Sequence, residues 1–249
     1  MEAVHKEYER SVDSHWWFRA RRRIFDAVLE AHVPLPERAT IVELGPGWGV
    51  NVPLLGPRGR LIVVDASLPS LESCLSRGAD LAVLGDGATP PLAPDSVDLL
   101  CALDVLEHLD DDDGALRSWC AALRDDGHLL LSVPALPILW GRQDVLSEHR
   151  RRYTRATLQR RLAAAGLEVQ RLSYFNSVLF LPILAVRLAM RPLLRWTGRS
   201  QSSDLSVRAP LGLDGLLYGA FAAEAPWLAR HDLPLGVSLL CVARRARPA

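Results

Sequence analysis

The chain has no excess of charge of either sign, because 29 lysines and arginines balance 29 aspartates and glutamates. Proteins that bind nucleic acid through its phosphates usually carry a clear positive excess, so this balance argues against a nucleic-acid partner. Lysine itself is almost absent, since Lys6 is the only one in the sequence. We interpret the reliance on arginine as a compositional bias without functional meaning.

The chain also has little cysteine, and its four cysteines show neither metal-ligand nor disulfide spacing. They are therefore predicted to be reduced core residues of a cytoplasmic protein. No secretory leader is visible, because residues 1–10 are charged. The most apolar run, residues 178–186, contains Pro182 and is too short to span a bilayer. The sequence has no internal repeat and no low-complexity region.

The most informative segment that is present is a glycine loop after an apolar run. Residues 40–42 are β-branched and predict a buried strand, and Glu43 stands just before the loop glycines Gly45, Gly47 and Gly49. Such a loop lets a ligand approach bare main chain. A helix that begins directly after the loop would point its first N–H groups at that ligand. The pattern therefore predicts a site for a nucleotide-like cofactor.

A second apolar run ends at Asp65, about 20 residues after Gly45. A carboxylate there can accept hydrogen bonds from ribose hydroxyls, although it could instead cap the helix that follows. The loop departs from the dinucleotide fingerprint, which needs its third glycine at the position of Val50. Here the third glycine is Gly49, one residue earlier. Glu43 would also repel a pyrophosphate. A cationic ligand without phosphate, such as S-adenosylmethionine, fits both observations better than NAD.

At these positions the sequence resembles the class I S-adenosylmethionine-dependent methyltransferases. The motifs follow the family's order along residues 38–134 and are Glu43-Leu44-Gly45-Pro46-Gly47-Trp48-Gly49, Asp65, Asp86-Gly87-Ala88 and Asp104-Val105-Leu106-Glu107-His108. Residues 15–19, 149–154 and 233–239 resemble a bacterial subgroup of small-molecule methyltransferases, so the resemblance covers nearly the whole chain. It implies an α/β, Rossmann-like, seven-stranded sheet whose last strand is antiparallel.

The resemblance also implies S-adenosyl-L-methionine as cofactor, with S-adenosyl-L-homocysteine as product, bound across the carboxyl ends of the first strands. Glu43 and the loop glycines would hold its amino-acid part, Asp65 its ribose, and Asp86 with Gly87 its adenine. Asp86 could instead form only an Asx turn. The full set of implied cofactor-binding residues is Glu43, Gly45, Gly47, Gly49, Asp65, Ala66, Asp86, Gly87, Ala88, Asp104, Val105 and His108.

Apolar runs alternate with helical patterns, which predicts a parallel sheet covered on both faces. Strands are predicted at 40–44, 60–65, 80–84, 97–103, 128–133, 167–174 and 237–243. Helices are predicted at 20–31, 49–55, 68–77, 112–124, 155–165, 176–196 and 214–230. We expect an N-terminal helical flap at 1–38 and a methyltransferase domain at 39–249 with a helical insertion at about 176–232. The acidic run 110–113 predicts a solvated turn and helix start, and we expect no metal site.

Methyl transfer requires aligned reactants and exclusion of water, and a base only where the acceptor must lose a proton. His149, His108 and Tyr153 are the predicted candidates for such a base, with Glu148 next; both histidines could instead serve only packing. Four residues are predicted to contact the acceptor. They are Trp16 and Trp17, which could instead anchor their helix, and Arg151 and Arg152, which could recognise a carboxylate or phosphate or lie at a solvated helix start.

The sequence thus predicts a methyltransferase that acts on oxygen, nitrogen or carbon of a small-molecule or lipid-linked acceptor. A homodimer contact or peripheral membrane contact could involve the apolar segment 178–194, which could also act as a lid. Two other functions stay open at this point. One is an NAD-dependent oxidoreductase, and the other is a non-catalytic protein that binds a cofactor or a membrane surface.

Overall fold

The computed structural model describes residues 13–185 and 213–246. Seven strands form one sheet: β1 Thr40–Leu44, β2 Arg60–Asp65, β3 Leu81–Leu84, β4 Val97–Leu103, β5 Leu123–Pro134, β6 Leu167–Phe175 and β7 Ser238–Arg245. The strand order is β3-β2-β1-β4-β5-β7-β6. Strand β7 pairs antiparallel with both β5 and β6, while β1 to β5 pair in parallel. The predicted fold class is confirmed.

Eight α-helices are described in these two ranges: α1 Trp16–His32, α2 Val52–Leu55, α3 Leu68–Ser76, α4 Asp112–Ala122, α5 Arg142–Leu146, α6 Arg155–Ala164, α7 Leu213–Ala222 and α8 Ala225–Leu228. Residues 180–185 are also helical. One face of the sheet is covered by α4 and α6, which bury Trp119 and Leu158. The opposite face is covered by α1, α3, α7 and α8, which bury Phe25 and Phe221. All four cysteines are buried and free, as the sequence predicts.

The predicted strands lie where the apolar runs place them, but four of the helix predictions are wrong. The helix predicted at 20–31 begins four residues earlier, at Trp16. The helix predicted at 49–55 contains only Val52–Leu55 and passes into a 3₁₀ turn at Gly56–Arg58. The helix predicted at 112–124 ends at Ala122, because Leu123 already pairs with Val97 as the first residue of β5. Strand β5 is therefore longer at its start than the predicted 128–133.

The helix predicted at 214–230 is two helices, and the break has two physical causes. Pro226 lacks an N–H group and its ring crowds the carbonyl four residues earlier, so a continuous helix cannot pass through it. The buried carboxylate of Glu224 instead accepts hydrogen bonds from the backbone N–H groups of Asn176, Ser177 and Val178 at 2.7, 2.7 and 3.0 Å. The break thus ties this region to the end of β6.

Part of the C-terminal third lies outside the described residues, including most of the predicted helix 176–196 and the polar segment 197–209. Within the described ranges, no helix is long and apolar enough to cross a membrane.

Candidate functional site

The glycine loop lies at the carboxyl edge of the sheet, between the ends of β2 and β4. Leu44 at the end of β1 pairs with Val64 and with Ala102, so the loops after β1, β2 and β4 converge on one edge. The backbone N–H of Gly45 donates to the carbonyl of Val64 at 2.9 Å, which fixes the start of the loop. Open parallel sheets bind ligands at this edge, where the chain leaves the strands.

The loop needs its glycines for two different physical reasons. Gly45 and Gly47 have φ angles of +57° and +54°, which side-chain-bearing residues rarely adopt. A Cβ on Gly45 would lie 2.8 Å from a methyl group of Val105, so this glycine allows close packing. A Cβ on Gly47 would meet nothing within 4 Å. The main chain at Gly47 is therefore bare and faces open space, as the resemblance implies for a ligand-binding loop.

Glu43 is a buried carboxylate, and only one of its two oxygens accepts a hydrogen bond. Its Oε1 accepts a hydrogen bond from Asn51 Nδ2 at 2.7 Å, and its Oε2 has no hydrogen-bond partner. The side chain is 1% exposed, and burial raises the pKa of Glu43 to about 7, although the bond from Asn51 acts in the opposite direction. A buried acceptor without a partner costs about 1–3 kcal/mol. A cationic ligand beside Gly47 would remove that cost, so these residues fit S-adenosylmethionine.

Asp65 lies at the tip of β2 and is not the residue that caps α3. Its two carboxylate oxygens accept from the backbone N–H of Ser67 at 2.8 Å and from the Ser70 hydroxyl at 3.0 Å. Ser67 occupies the N-cap position, without a side-chain capping bond. Ser70 also donates to the carbonyl of Gly47, which couples Asp65 to the glycine loop. Ala66 beside it is exposed.

Asp86 forms the Asx turn that the sequence left open as its alternative. The side chain is exposed and accepts from the backbone N–H of Ala88 at 2.9 Å. The carbonyl of Gly87 accepts from the indole N–H of Trp119 at 2.8 Å, which anchors this turn to α4. A Cβ on Gly87 would lie 3.8 Å from Val105, so the turn also lies near the segment after β4.

Asp104 connects the sheet edge to helix α1. Its φ is +61°, and its carboxylate accepts from Arg21 of α1 and, at 2.9 Å, from Ser132 of β5. Arg21 also donates to Ser132 at 3.0 Å. Burial alone would raise the pKa of Asp104, but the Arg21 guanidinium outweighs it and holds that pKa below its usual value. Helix α1 also reaches the glycine loop through Arg22, which donates to the carbonyl of Val50 at 3.1 Å.

The segment after β4 meets the loop before α6 at His149. His149 Nδ1 lies 3.0 Å from Asp144 Oδ1, and its Nε2 lies 3.9 Å from Glu107 Oε1. The rings of His108 and His149 contact edge to face, with centroids 4.8 Å apart. Burial, followed by the neighbouring His149, lowers the pKa of His108. The structure therefore brings together two of the three candidate bases.

The third candidate base lies apart from them. Tyr153 is 2% exposed and donates its hydroxyl to Asp112 Oδ2 at 2.8 Å. Burial, followed by that bond to Asp112, raises the pKa of Tyr153 above its usual value. Asp112 itself is buried, so this part of the acidic run 110–113 is not solvated as predicted. The predicted helix start is confirmed at this residue.

The arginines predicted to contact the acceptor are already paired with carboxylates. Arg151 lies 2.8 Å from Asp112, and Arg152 Nε donates to Asp144 at 2.7 Å. Trp16 and Trp17 pack on Phe221 of α7, with ring centroids 6.4 and 5.2 Å away. Both contacts match the anchoring alternative that the sequence left open.

Several contacts of this site join residues that no sequence motif connects. Arg21 and Asp104 are separated by 83 positions, so no local pattern connects them. Asp144 lies in a short helix with no motif of its own, and Asn51 was read as part of a helix. Glu107 was quoted only as part of the motif after β4. The burial of the Glu107 carboxylate is the signal that marks it as functional, and that burial is visible only in the fold.

Comparison with known proteins points to the same class of enzyme as the geometry of the site. The family model described as "Methyltransferase domain" matches residues 16–172. A methyltransferase solved in complex with the Trm112 methyltransferase activator of Haloferax volcanii aligns with a TM-score of 0.63 and 16% identity, covering 100% of this chain and 96% of that one. An S-adenosylmethionine-dependent methyltransferase from Mesorhizobium loti aligns with a TM-score of 0.55 and 20% identity over 87% and 95% of the two chains.

A third solved structure is geranyl diphosphate C-methyltransferase from Streptomyces coelicolor A3(2), bound to Mg²⁺, geranyl diphosphate and S-adenosyl-L-homocysteine. It aligns with a TM-score of 0.56 and 14% identity over 88% of this chain and 78% of that one. No curated protein matches. The chain belongs to the methyltransferase domain family and is an S-adenosylmethionine-dependent methyltransferase. Its cofactor is S-adenosyl-L-methionine.

Proposed function

We propose that this enzyme transfers a methyl group to an oxygen, nitrogen or carbon atom of a small-molecule or lipid-linked acceptor. The observation that carries the proposal is the unpaired, buried Oε2 of Glu43 beside the bare main chain of Gly47. A carboxylate in this position suits the positive charge of S-adenosylmethionine and repels the pyrophosphate of NAD. The methyltransferase family match also counts against the oxidoreductase alternative.

The cofactor, when bound, supplies a methyl group on a positively charged sulfur. We propose that Glu43 balances the charge of its amino-acid part and that the backbone of Gly45, Gly47 and Gly49 lies against it. Asp65 at the tip of β2 would accept from the ribose hydroxyls, and the turn at Asp86 would flank the adenine. The hydrogen bonds of Asp65 to Ser67 and Ser70 support this role, because they hold its carboxylate at the sheet edge.

The acceptor would lie over the segment Asp104–His108, between helix α1 and the loop that contains His149. The residues there would orient the acceptor atom toward the methyl group and keep water out, which is the main task of the protein in such a displacement. Helix α1 contacts both Asp104 and the glycine loop, which supports its predicted role as a flap. Among the predicted bases, His149 has the best geometry, because Asp144 can hold the Nδ1 proton and leave Nε2 free to accept one.

Two observations support an apolar acceptor: the ligand of a structural neighbour and the exposed apolar residues of this chain. A neighbour of the same fold binds geranyl diphosphate, a small apolar chain with a charged end. Val178 and Leu181, in the described part of the apolar segment, are 50% and 70% exposed. We propose that this segment contacts an apolar acceptor, a membrane surface or a second copy of the chain. Cytoplasmic location stays a prediction from the four reduced cysteines.

Isothermal titration calorimetry with S-adenosylmethionine tests the cofactor assignment. We expect Glu43→Gln to weaken binding by about 10–100-fold at pH 8, since a hydrogen bond to a charged group contributes about 1.5–3 kcal/mol. Glu37→Gln is the matched control, because Glu37 is exposed on the surface. Unchanged affinity in the Glu43 variant would show that Glu43 does not hold the cofactor.

A transfer assay with methyl-labelled cofactor then tests the acceptor class. Apolar diphosphates, phenols and amines would be offered separately, and the proposal expects product with at least one class. Tight cofactor binding without turnover on any of them would favour the non-catalytic alternative.

A further inference from the structure

Glu107, His108 and His149 form a cluster of metal-ligating side chains, of which only His108 belongs to the residues predicted to bind the cofactor. One ligand atom from each residue lies within 4.8 Å of the others. Glu107 and His108 come from the 3₁₀ turn directly after β4, and His149 comes from the loop before α6. The backbone N–H of Arg150 donates to the carbonyl of Glu107 at 2.8 Å, so the two segments are joined beside the cluster.

Glu107 is the residue of this cluster that points most clearly to a bound cation. The residue is 0% exposed, and neither of its carboxylate oxygens has a hydrogen-bond partner. Buried carboxylates in folded proteins are paired, hydrogen-bonded or bound to a metal, because an isolated one is expensive to bury. His149 Nε2 lies 3.9 Å from Oε1 of Glu107, too far for a hydrogen bond.

The orientation of His149 is set from behind by a buried carboxylate. Asp144 Oδ1 lies 3.0 Å from Nδ1 of His149, and Asp144 is itself held by Arg152 at 2.7 Å and by the backbone N–H of Gly141 at 2.8 Å. The opposite nitrogen of the ring, Nε2, is therefore aimed at Glu107. Metal-bound histidines very often donate their other N–H to a carboxylate in this way.

We propose that Glu107, His108 and His149 bind a divalent transition-metal ion such as Zn²⁺, with a coordination position left open toward the acceptor. Two imidazoles and one carboxylate with an open position are the ligand set of many catalytic zinc and iron sites. Ligands around tetrahedral Zn²⁺ lie about 3.3–3.5 Å apart, given metal–ligand bonds of about 2.0–2.1 Å. The separation of 3.9 Å between Glu107 and His149 needs only a small adjustment to reach this.

The sequence predicted no metal site, because Glu107 and His149 are 42 positions apart in the chain and share no ligand-spacing motif. The site also lies close to the cofactor loop, since Val105, two residues before Glu107, packs on Gly45. The role of the bound metal rests on the methyl transfer proposed above. An acceptor hydroxyl bound to the metal would release its proton to solvent at lower pH. Its oxygen would then form a bond to the methyl carbon as the bond from that carbon to the cofactor sulfur breaks, so no general base would be needed. His149 Nε2 has one lone pair, so it serves either as base or as ligand.

Elemental analysis after dialysis against Zn²⁺ tests the site without any assay of activity. The protein would be untagged, because an oligohistidine tag binds the same ions, and stripped with a chelator beforehand. We expect about one equivalent of Zn²⁺ in the wild type, with Co²⁺ giving the visible absorption of a low-symmetry nitrogen and oxygen site. Glu107→Gln, His108→Gln and His149→Gln should each lower the affinity for Zn²⁺ at least tenfold.

The controls separate the cluster from the rest of the protein. His231→Gln removes an exposed histidine that packs beside Trp227 and lies outside the cluster, so this variant should bind Zn²⁺ as the wild type does. Asp144→Asn should lower Zn²⁺ affinity by about 10–100-fold, the usual effect of losing the carboxylate behind a histidine ligand. His108 is not buried, so its variant stays informative even if a substitution at Glu107 prevents folding.

Two results would overturn the proposal: no saturable binding of Zn²⁺ or Co²⁺ by the wild type, or equal binding by the cluster variants. The first would leave Glu107 as a protonated carboxyl group beside His149. Calorimetry with S-adenosylmethionine on the same samples keeps the two proposals apart. Zn²⁺ binding without cofactor binding contradicts the proposed function alone, and cofactor binding without Zn²⁺ binding contradicts the metal site alone.

Discussion

At the scale of single residues, the buried carboxyl of Glu43 destabilises the protein when no cofactor is bound. Its carboxyl is buried and only half satisfied, and burial raises its pKa from 4.5 to about 7. The folded protein therefore holds a proton at Glu43 between these pH values while the unfolded chain has released it. Stability conferred by the protonated form is complete below pH 4.5 and declines as the pH rises toward about 7.

The substitution Glu43→Gln should therefore stabilise the cofactor-free protein at pH 8. The shift in pKa corresponds to a gain of up to about 3 kcal/mol, because one unit is worth about 1.4 kcal/mol. For a chain of this size that is a rise in Tm of several degrees. Differential scanning calorimetry of both proteins from pH 4.5 to pH 8 checks it.

The difference in Tm should shrink as the pH falls and vanish below pH 4.5, where the carboxyl becomes protonated in both the folded and the unfolded wild type. Saturating S-adenosylmethionine at pH 8 should narrow the difference, because only the carboxylate gains a cation. A variant that is less stable than the wild type at pH 8 without cofactor would contradict this account.

At the scale of elements, helix α1 joins the cofactor edge to the core. Ile24, Phe25, Val28 and Leu29 are at most 2% exposed and share a core cluster with β1. Each such side chain contributes about 1.5–3 kcal/mol, so detaching the whole helix would cost roughly as much as the protein's total stability. We expect any opening of the predicted flap to be confined to the start of α1.

The substitution Arg21→Met tests that view of α1. It removes the bonds to Asp104 and Ser132 while keeping an unbranched apolar stem. We expect amide hydrogen exchange over residues 15–22 to become about tenfold faster, in line with the loss of a charged hydrogen bond, while residues 24–32 keep their protection. Arg23→Met, at an exposed position of the same helix, is the control. Equal exchange in the two variants would show that Arg21 does not hold the helix.

The elements also show which parts of the fold a sequence can predict. Apolar runs marked the parallel strands β1 to β5, because buried parallel strands are continuous hydrophobic segments. The helix boundaries failed where tertiary contacts decided them, as at Leu123, which pairs with Val97, and at Glu224, which holds the backbone of residues 176–178. The glycine loop was predictable because its chemistry is local, while the contacts Arg21–Asp104 and Glu107–His149 join distant segments and were not.

At the scale of the whole molecule, the predicted division at residue 38 does not separate two hydrophobic cores. The core cluster on one face of the sheet includes Val28 of α1, Leu61 of β2 and Phe221 of α7, so these parts should unfold together. In urea, far-UV circular dichroism and tryptophan fluorescence should report one coincident transition. An early loss of helical signal, before the fluorescence changes, would show that α1 and its partners form a separate unit.

The order of the strands has a consequence for synthesis of the chain. Strand β7 lies between β5 and β6, although about 60 residues separate it from β6 in the sequence. At translation rates of about 5–20 residues per second, β6 leaves the ribosome roughly 3–12 seconds before β7, and β5 roughly 5–20 seconds before it. Through that interval each nascent chain carries two unpaired strand edges, which pair readily with other chains. Crowded polysomes that make this protein should therefore depend on chaperones that bind extended segments.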